Sequence, residues 1–120
     1  IHEDFDLYVD HFPNTSELSE FIEKRWVLVN RNPENHRITG YLVFEEQGAR
    51  TLIRSWHSGP EDIPMGGMVL LGQFHNVQAS TDVKSTFGWV NEENRMAIMV
   101  YRRFGYEFDG LRDFIFARRK

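Results

Sequence analysis

The sequence contains no cysteine. That excludes a disulfide framework, a thiol nucleophile and any thiolate metal site. No apolar run of about 18 residues occurs, so nothing reads as a membrane-spanning helix, and no signal peptide is visible. The histidines at 2, 11, 36, 57 and 75 lack the H-x-x-x-H spacing of a metal-binding helix. G-x-S-x-G and the phosphate-loop lysine motif are also absent, which removes two common hydrolase signatures. Positive charge is not in excess: 14 Lys and Arg face 18 Asp and Glu, giving a net charge of −4. A general nucleic-acid binder is therefore not expected, nor a membrane protein. There is no internal repeat and no low-complexity segment. Ile1 is not a natural start residue. The chain is therefore expected to be a fragment, a processed chain or one half of a tandem protein, with a cytoplasmic address as the default.

What is present is a globular composition. The 120 residues suit one domain, and 41% hydrophobic with 14% aromatic content supplies a core. Phe5, Leu7 and Val9 alternate within residues 1–12, as in a first strand. Pro13-Asn14 breaks it, and Thr15 or Ser16 is placed to cap a short helix carrying Leu18, Phe21 and Ile22. Residues 26–30 (WVLVN), 38–46 and 51–57 (TLIRSWH) read as three strands of an antiparallel meander, the last two joined by a tight turn at Gly48. Residues 68–78 (MVLLGQFHNVQ) are ambiguous. As a helix they gather Leu70, Leu71, Phe74 and Val77, while Gly72 and the valines favour a strand. The helix is preferred, because the strand expected at 84–90 then has a crossover connection. His75, on this segment, is expected at the surface.

The most informative stretch is 89–110, WVNEENRMAIMVYRRFGYEFDG. Met96, Ala97, Val100, Tyr101 and Phe104 share one helical face. Asn91 is a reasonable N-cap with Glu92 and Glu93 in the first turn, Arg102 and Arg103 lie in the last turn, and Gly105 is placed to stop the helix. Taken alone, this is a capped amphipathic helix over a sheet. Asn94 and Tyr101 are two turns apart and roughly in line. A last strand is predicted over 108–117. The order is β-α-β-β-β-α-β-α-β, an α+β chain with a mixed sheet and helices on both faces.

Val90, Asn94, Ala97, Tyr101, Gly105 and Tyr106 fall in the frame V-x-x-x-N-x-x-A-x-x-x-Y-x-x-x-G-[FY]. That frame, with the element order, resembles the GNAT (GCN5-related N-acetyltransferase) superfamily. The resemblance implies a gap beside the Val90-type strand that takes the pantetheine arm of acetyl-CoA. It further implies cofactor contacts at Val90 and Asn94 and a general acid at Tyr101. The family's phosphate loop, [RQ]-x-x-G-x-[GA], maps to 61–68, EDIPMGGM, so Gly66, Gly67 and Met68 become cofactor-binding candidates. This loop lacks the Arg/Gln position, the glycine spacing and the usual basic residues. A plain turn is the alternative for Gly66-Gly67, and Glu61 and Asp62 would repel a phosphate.

A catalytic base near the end of the fourth strand would be His57, with Glu45 and Glu46 as alternatives. The plain reading of His57 is a partly exposed strand-end histidine. The resemblance implies an N-acyltransferase moving an acetyl or other acyl group from acyl-CoA to a primary amine on a small molecule or peptide. Two alternatives stand beside it. One is an inactive GNAT-like binding or scaffold domain, with a homodimer or partner domain completing it. The other, if 68–78 is a strand, is a β-barrel holding an apolar small molecule.

Overall fold

The computed structural model describes residues 3–4, 14–90, 94–108 and 115–119. Among the described residues ten elements follow one another: β1 (Glu3–Asp4), α1 (Thr15–Glu23), β2 (Val27–Arg31), β3 (Ile38–Gln47), β4 (Arg50–Ser58), α2 (Gly66–Gln78), β5 (Ser85–Trp89), α3 (Arg95–Arg103), β6 (Glu107–Phe108) and β7 (Ile115–Arg119). The seven strands form one sheet in the order β2-β3-β4-β5-β7-β6, with β1 beside β4. The mixed α+β architecture is the one expected. The single last strand predicted over 108–117 is instead two short antiparallel strands, β6 and β7. Most of the segment assigned to the first strand, beyond Glu3 and Asp4, lies outside the described residues.

Helix α1 is capped by Asn14, not by Thr15 or Ser16. Asn14 has an extended backbone, and its side chain accepts the Glu17 amide at 2.9 Å while the Glu17 carboxylate accepts the Asn14 amide at 3.3 Å. This capping box satisfies two amides that the first turn cannot. Asn14→Ala is expected to cost about 1 kcal/mol, read as a lower urea midpoint at unchanged slope.

β2, β3 and β4 form the expected meander, and Gly48 at φ +66° turns β3 into β4. Arg54 is the extra residue of a bulge: Val43 pairs with Ser55, and Phe44 with Ile53. A bulge resets which face later side chains take. Before it, Thr51 faces α2, donating its hydroxyl to Gln78 Oε1 at 2.8 Å. After it, Trp56 and Ser58 face that side, and Ser55 and His57 point to the other. The reset is what brings Trp56 to α2, where its indole donates to the Gly67 carbonyl at 3.0 Å.

The stretch at 68–78 is helical, which removes the β-barrel alternative. The helix begins two residues earlier than expected, at Gly66. It buries Leu70, Leu71 and Phe74 completely, leaving Val69 and Val77 towards solvent. It serves as the crossover between β4 and the parallel strand β5. α2 and α3 share one face of the sheet: Phe104 rests 3.6 Å from where a Cβ on Gly72 would sit. α1 lies on the opposite face, where Leu18 and Ile22 border an open groove with Val27, Val29, Tyr41 and Val43. The core between sheet and α2/α3 joins Leu42, Phe44, Ile53, Trp56, Val90, Ala97 and Tyr101 to the α2 leucines.

Candidate active site

The site is organised by a parting of strands. β3 pairs with β4 along its whole length, so β1 and β5 share the other edge of β4. β5 pairs with it only from Arg50 to Ile53, ending at Ile53↔Gly88. β1 takes His57 and Ser58. Among the described residues, no strand pairs with that edge at Arg54–Trp56. The bulge bends β4 where β5 leaves it. A ligand lying along the edge as far as Ser58 would have to displace the two-residue β1 pairing.

Tyr101 sits at this parting. Its ring is 1% exposed, packs edge-on to Trp56 at 5.1 Å and tilts against Tyr106 at 4.8 Å. Its hydroxyl lies over Gly88, where any Cβ would collide with it; the ring Cζ would be 2.7 Å from such an atom. A glycine inside a strand often marks such a close approach. Trp56 completes the unit by tying Tyr101 to the start of α2. Ala97, Val100 and Tyr101 form the buried face of α3, which is held at its far end by Gly105 at φ +85°.

The N-cap of α3 is Asn94, not Asn91: its side-chain oxygen accepts the Ala97 amide at 3.2 Å. Residues 91–93 lie outside the described residues, and the helix itself begins at Arg95, without an acidic first turn. Asn94 thus stands at the start of α3 and Tyr101 two turns further on. Val90 is fully buried in the core that also holds Tyr101 and Trp56, and Met68 packs against it. Gly66 and Gly67 are buried at the start of α2. Gly67 and Tyr101 are therefore both tied to Trp56, and Val90 and Met68 belong to the same core.

His57 does not join them. The bulge turns it to the α1 face, where it stacks on Tyr41 at 5.4 Å. An open cavity of about 360 Å³ lies there, lined in part by Tyr41, His57, Gly59 and Glu61. His57 and Tyr101 thus flank β4 from opposite sides. The alternative bases are engaged elsewhere. Glu45 accepts from Arg54 at 2.6 Å and from Gln47 at 3.1 Å, and Glu46 accepts from Gln78 at 3.4 Å. His75 is not a plain surface residue: it is half-buried, stacks on Phe104 at 5.4 Å and shares a 3.0 Å hydrogen bond with the Tyr106 hydroxyl.

The loop before α2 is built around Asp62. Its carboxylate accepts from Asn30 Nδ2 at 3.0 Å, Thr39 Oγ1 at 3.0 Å, Ser58 Oγ at 2.7 Å and the Ile63 amide at 2.8 Å. Asn30 also donates to the Gly66 carbonyl at 3.1 Å. Desolvation raises the carboxyl pKa, but the four hydrogen bonds outweigh it and hold the group below its ordinary value of 3.8. Asp62 therefore faces inward, fastening the ends of β2, β3 and β4 to the start of α2. Asp62→Ala is expected to cost about 1–3 kcal/mol, because buried donors on Asn30, Thr39 and Ser58 lose their acceptor. The depressed pKa fixes the sign of the pH dependence. The contribution is complete above the unfolded value and lost as pH falls through the lower folded one. Urea melts from neutral pH down past 3.8 should show wild type losing its advantage over Asp62→Ala only in that acidic window.

Neither Trp56 nor Asp62 stood out as a site residue in the sequence. Gly88 carried a legible signal, a glycine between two aromatics in a strand.

The arrangement suits the acyl-pantetheine end of acyl-CoA: two strands whose pairing ends at Ile53↔Gly88, a phenol beside that point and the first turn of α2 at Gly66-Gly67. The fit is poorer at the diphosphate end, where the loop supplies carboxylates and no cation. Among the described residues no group of three His, Asp or Glu is placed to hold a metal, and no helix is long and apolar enough to cross a membrane.

No family model matches the chain, and no curated protein matches its sequence. Solved structures do match. The NatB acetyltransferase complex bound to a bisubstrate inhibitor superposes with a TM-score of 0.71 at 16% identity, over 91% of this chain and 76% of that one. A GNAT superfamily phosphinothricin acetyltransferase from Sinorhizobium meliloti, solved with AcCoA, gives 0.67 at 16%, over 89% and 70%. Rv2747 from Mycobacterium tuberculosis, solved with CoA and NLQ, gives 0.65 at 15%, over 79% of this chain and 55% of that one. The chain thus spans little more than half the length of this last neighbour. At these identities the likeness concerns architecture, and on that the strand order, the parted strands and the neighbours agree: the chain has the fold of the GNAT acetyltransferases.

Proposed function

We propose that this chain is an N-acyltransferase that moves an acetyl or other acyl group from a CoA thioester to a primary amine. The observation that carries the reading is the position of Tyr101, whose hydroxyl lies over Gly88 where β5 leaves β4. The thioester arm would enter where the β4/β5 pairing ends at Ile53↔Gly88, with backbone donors there polarising its carbonyl. Tyr101 would give its proton to the departing thiolate on the α2/α3 side. The amine would arrive from the α1 side, through the cavity beside Tyr41, and His57 would take its proton directly or through water. Asn94, Val90 and the first turn of α2 at Gly66–Met68 are assigned to the donor.

The inward carboxylate of Asp62 at the start of α2 favours a second reading, a GNAT-like domain that binds a partner or regulatory ligand without turnover. The two are separated by thiol release from acetyl-CoA with a panel of primary amines. Amine-dependent release that falls in His57→Gln supports the enzyme. A panel with no release above the uncatalysed rate supports the binding domain.

A further inference from the structure

We infer that the acceptor is a primary amine carried on one uncharged apolar tail about 10 Å long, and that the groove beside α1 seats that tail. The inference rests on the acyltransferase reading and names its acceptor class.

Two cavities on the α1 face share a border. The one beside His57 and Glu61 holds about 360 Å³ and the groove beside α1 about 400 Å³, and Ile38 and Tyr41 line both. Strand register explains the sharing. Val29 pairs with Tyr41, and Tyr41 with His57. Directly paired residues face the same side, so these three side chains stand in one row across β2, β3 and β4. Two strand spacings, about 10 Å, separate the ends of the row. An amine at His57 therefore has Tyr41 beside its first carbons and Val29 beside its last.

The walls of the groove are accessible. Ile22 is 58% and Ile38 55% exposed, while Leu18, Val27, Val29 and Tyr41 are half-buried. An apolar tail would take this surface out of water. The helix wall is also fixed in place. Arg54 lies over the Phe21 ring at 5.6 Å, pairs with Glu45 at 2.6 Å and reaches Glu17 at 3.9 Å. A wall already held costs little to order when the ligand arrives.

Charge sets the direction of the ligand. Glu61 borders the His57 cavity, at the end where an ammonium ion enters. Arg31 is the charged residue among those lining the groove, and it donates to the His36 carbonyl at 2.9 Å. A second ammonium on the tail would meet Arg31 and lose its water against Val27 and Val29. Polyamines are therefore poor acceptors. In the transfer itself, the amine nitrogen bonds to the thioester carbonyl carbon and the C–S bond breaks. His57 takes the proton from nitrogen and Tyr101 supplies one to sulfur, giving an amide and the CoA thiol. The tail takes no part in that exchange and only positions the nitrogen.

The test is thiol release from acetyl-CoA by the intact chain with butylamine, hexylamine, octylamine and octamethylenediamine. From butylamine to octylamine, kcat/KM is expected to rise about threefold per added methylene. The diamine is expected at least about tenfold below octylamine, although it has the same length. Ile22→Asp and Ile38→Asp change exposed positions, and each is expected to cut the octylamine-to-butylamine ratio by about fivefold or more. A flat chain-length series, or a preference for the diamine, would overturn the inference while leaving the acyltransferase reading in place. Release with no amine at all would overturn both. If the aspartate variants fail to fold, the wild-type series decides.

Discussion

Replacing Tyr101 by phenylalanine is expected to lower turnover by about 10²–10⁴-fold and to leave acetyl-CoA affinity nearly unchanged, the range for loss of a positioned general acid. The substitution removes one oxygen from a ring that is 1% exposed. The edge-on contact with Trp56 and the tilted contact with Tyr106 both belong to the ring and survive. The hydroxyl is the part that reaches Gly88 at the parting of β4 and β5. The packing of the ring should therefore persist while chemistry slows. Steady-state kinetics with direct binding checks this, since losing an interaction made only in the transition state lowers kcat and kcat/KM together. Unchanged turnover would remove Tyr101 from the acid role.

Trp56→Ala is expected to destabilise the chain by about 3–5 kcal/mol, a large share of the stability of a small domain. Trp56 is completely buried and stands among Tyr101, Val90 and the leucines of α2. Its removal would open a cavity under the site and release the start of α2, because the indole is the donor to the Gly67 carbonyl. Trp56→Phe separates these effects. It keeps most of the packing and removes only the donor, at about 1–3 kcal/mol. Urea melts of both variants at neutral pH provide the measurement. Equal losses would place the whole role of Trp56 in the Gly67 bond, and a negligible loss in the alanine variant would contradict the core described here.

Periodicity makes most of the sheet and helices legible. The meander follows from runs such as WVLVN and TLIRSWH, and α3 from the spacing of Ala97, Val100 and Tyr101. The ambiguity at 68–78 has a physical resolution. Val69 and Val77, which argued for a strand, lie 36% and 42% exposed on the outer side of α2. Gly72 is small because Phe104 packs beside it. Capping was harder, since several polar residues stand in a row at each helix start. Asn14 wins over Thr15 and Ser16, and Asn94 caps α3, because each aims an oxygen at an amide three residues on.

The site was legible only in part. Asn94 and Tyr101 came from a family resemblance carried by a motif local to one helix. The contacts that support them are long-range: Asn30 reaches Asp62 across 32 positions, and Trp56 reaches Gly67 across a loop. The bulge at Arg54 is equally silent in sequence, for TLIRSWH carries no glycine or proline to announce it. Yet that one extra residue decides that Trp56 faces α2 while His57 faces α1. Asp62 was read from sequence as a charge that would meet an incoming phosphate. Its carboxylate is instead folded into the sheet ends, where it shapes the loop first and the electrostatics of the helix start second.

The most direct test of the central claim, that a donor thioester lies in the parting between β4 and β5, is an amide NMR titration of the intact chain with acetyl-CoA. The expected result is saturable shifts concentrated at Arg54–His57, at Gly66–Met68, at Asn94 and at the Trp56 indole. No shifts at millimolar acetyl-CoA, or shifts confined to the face under α1, would contradict it.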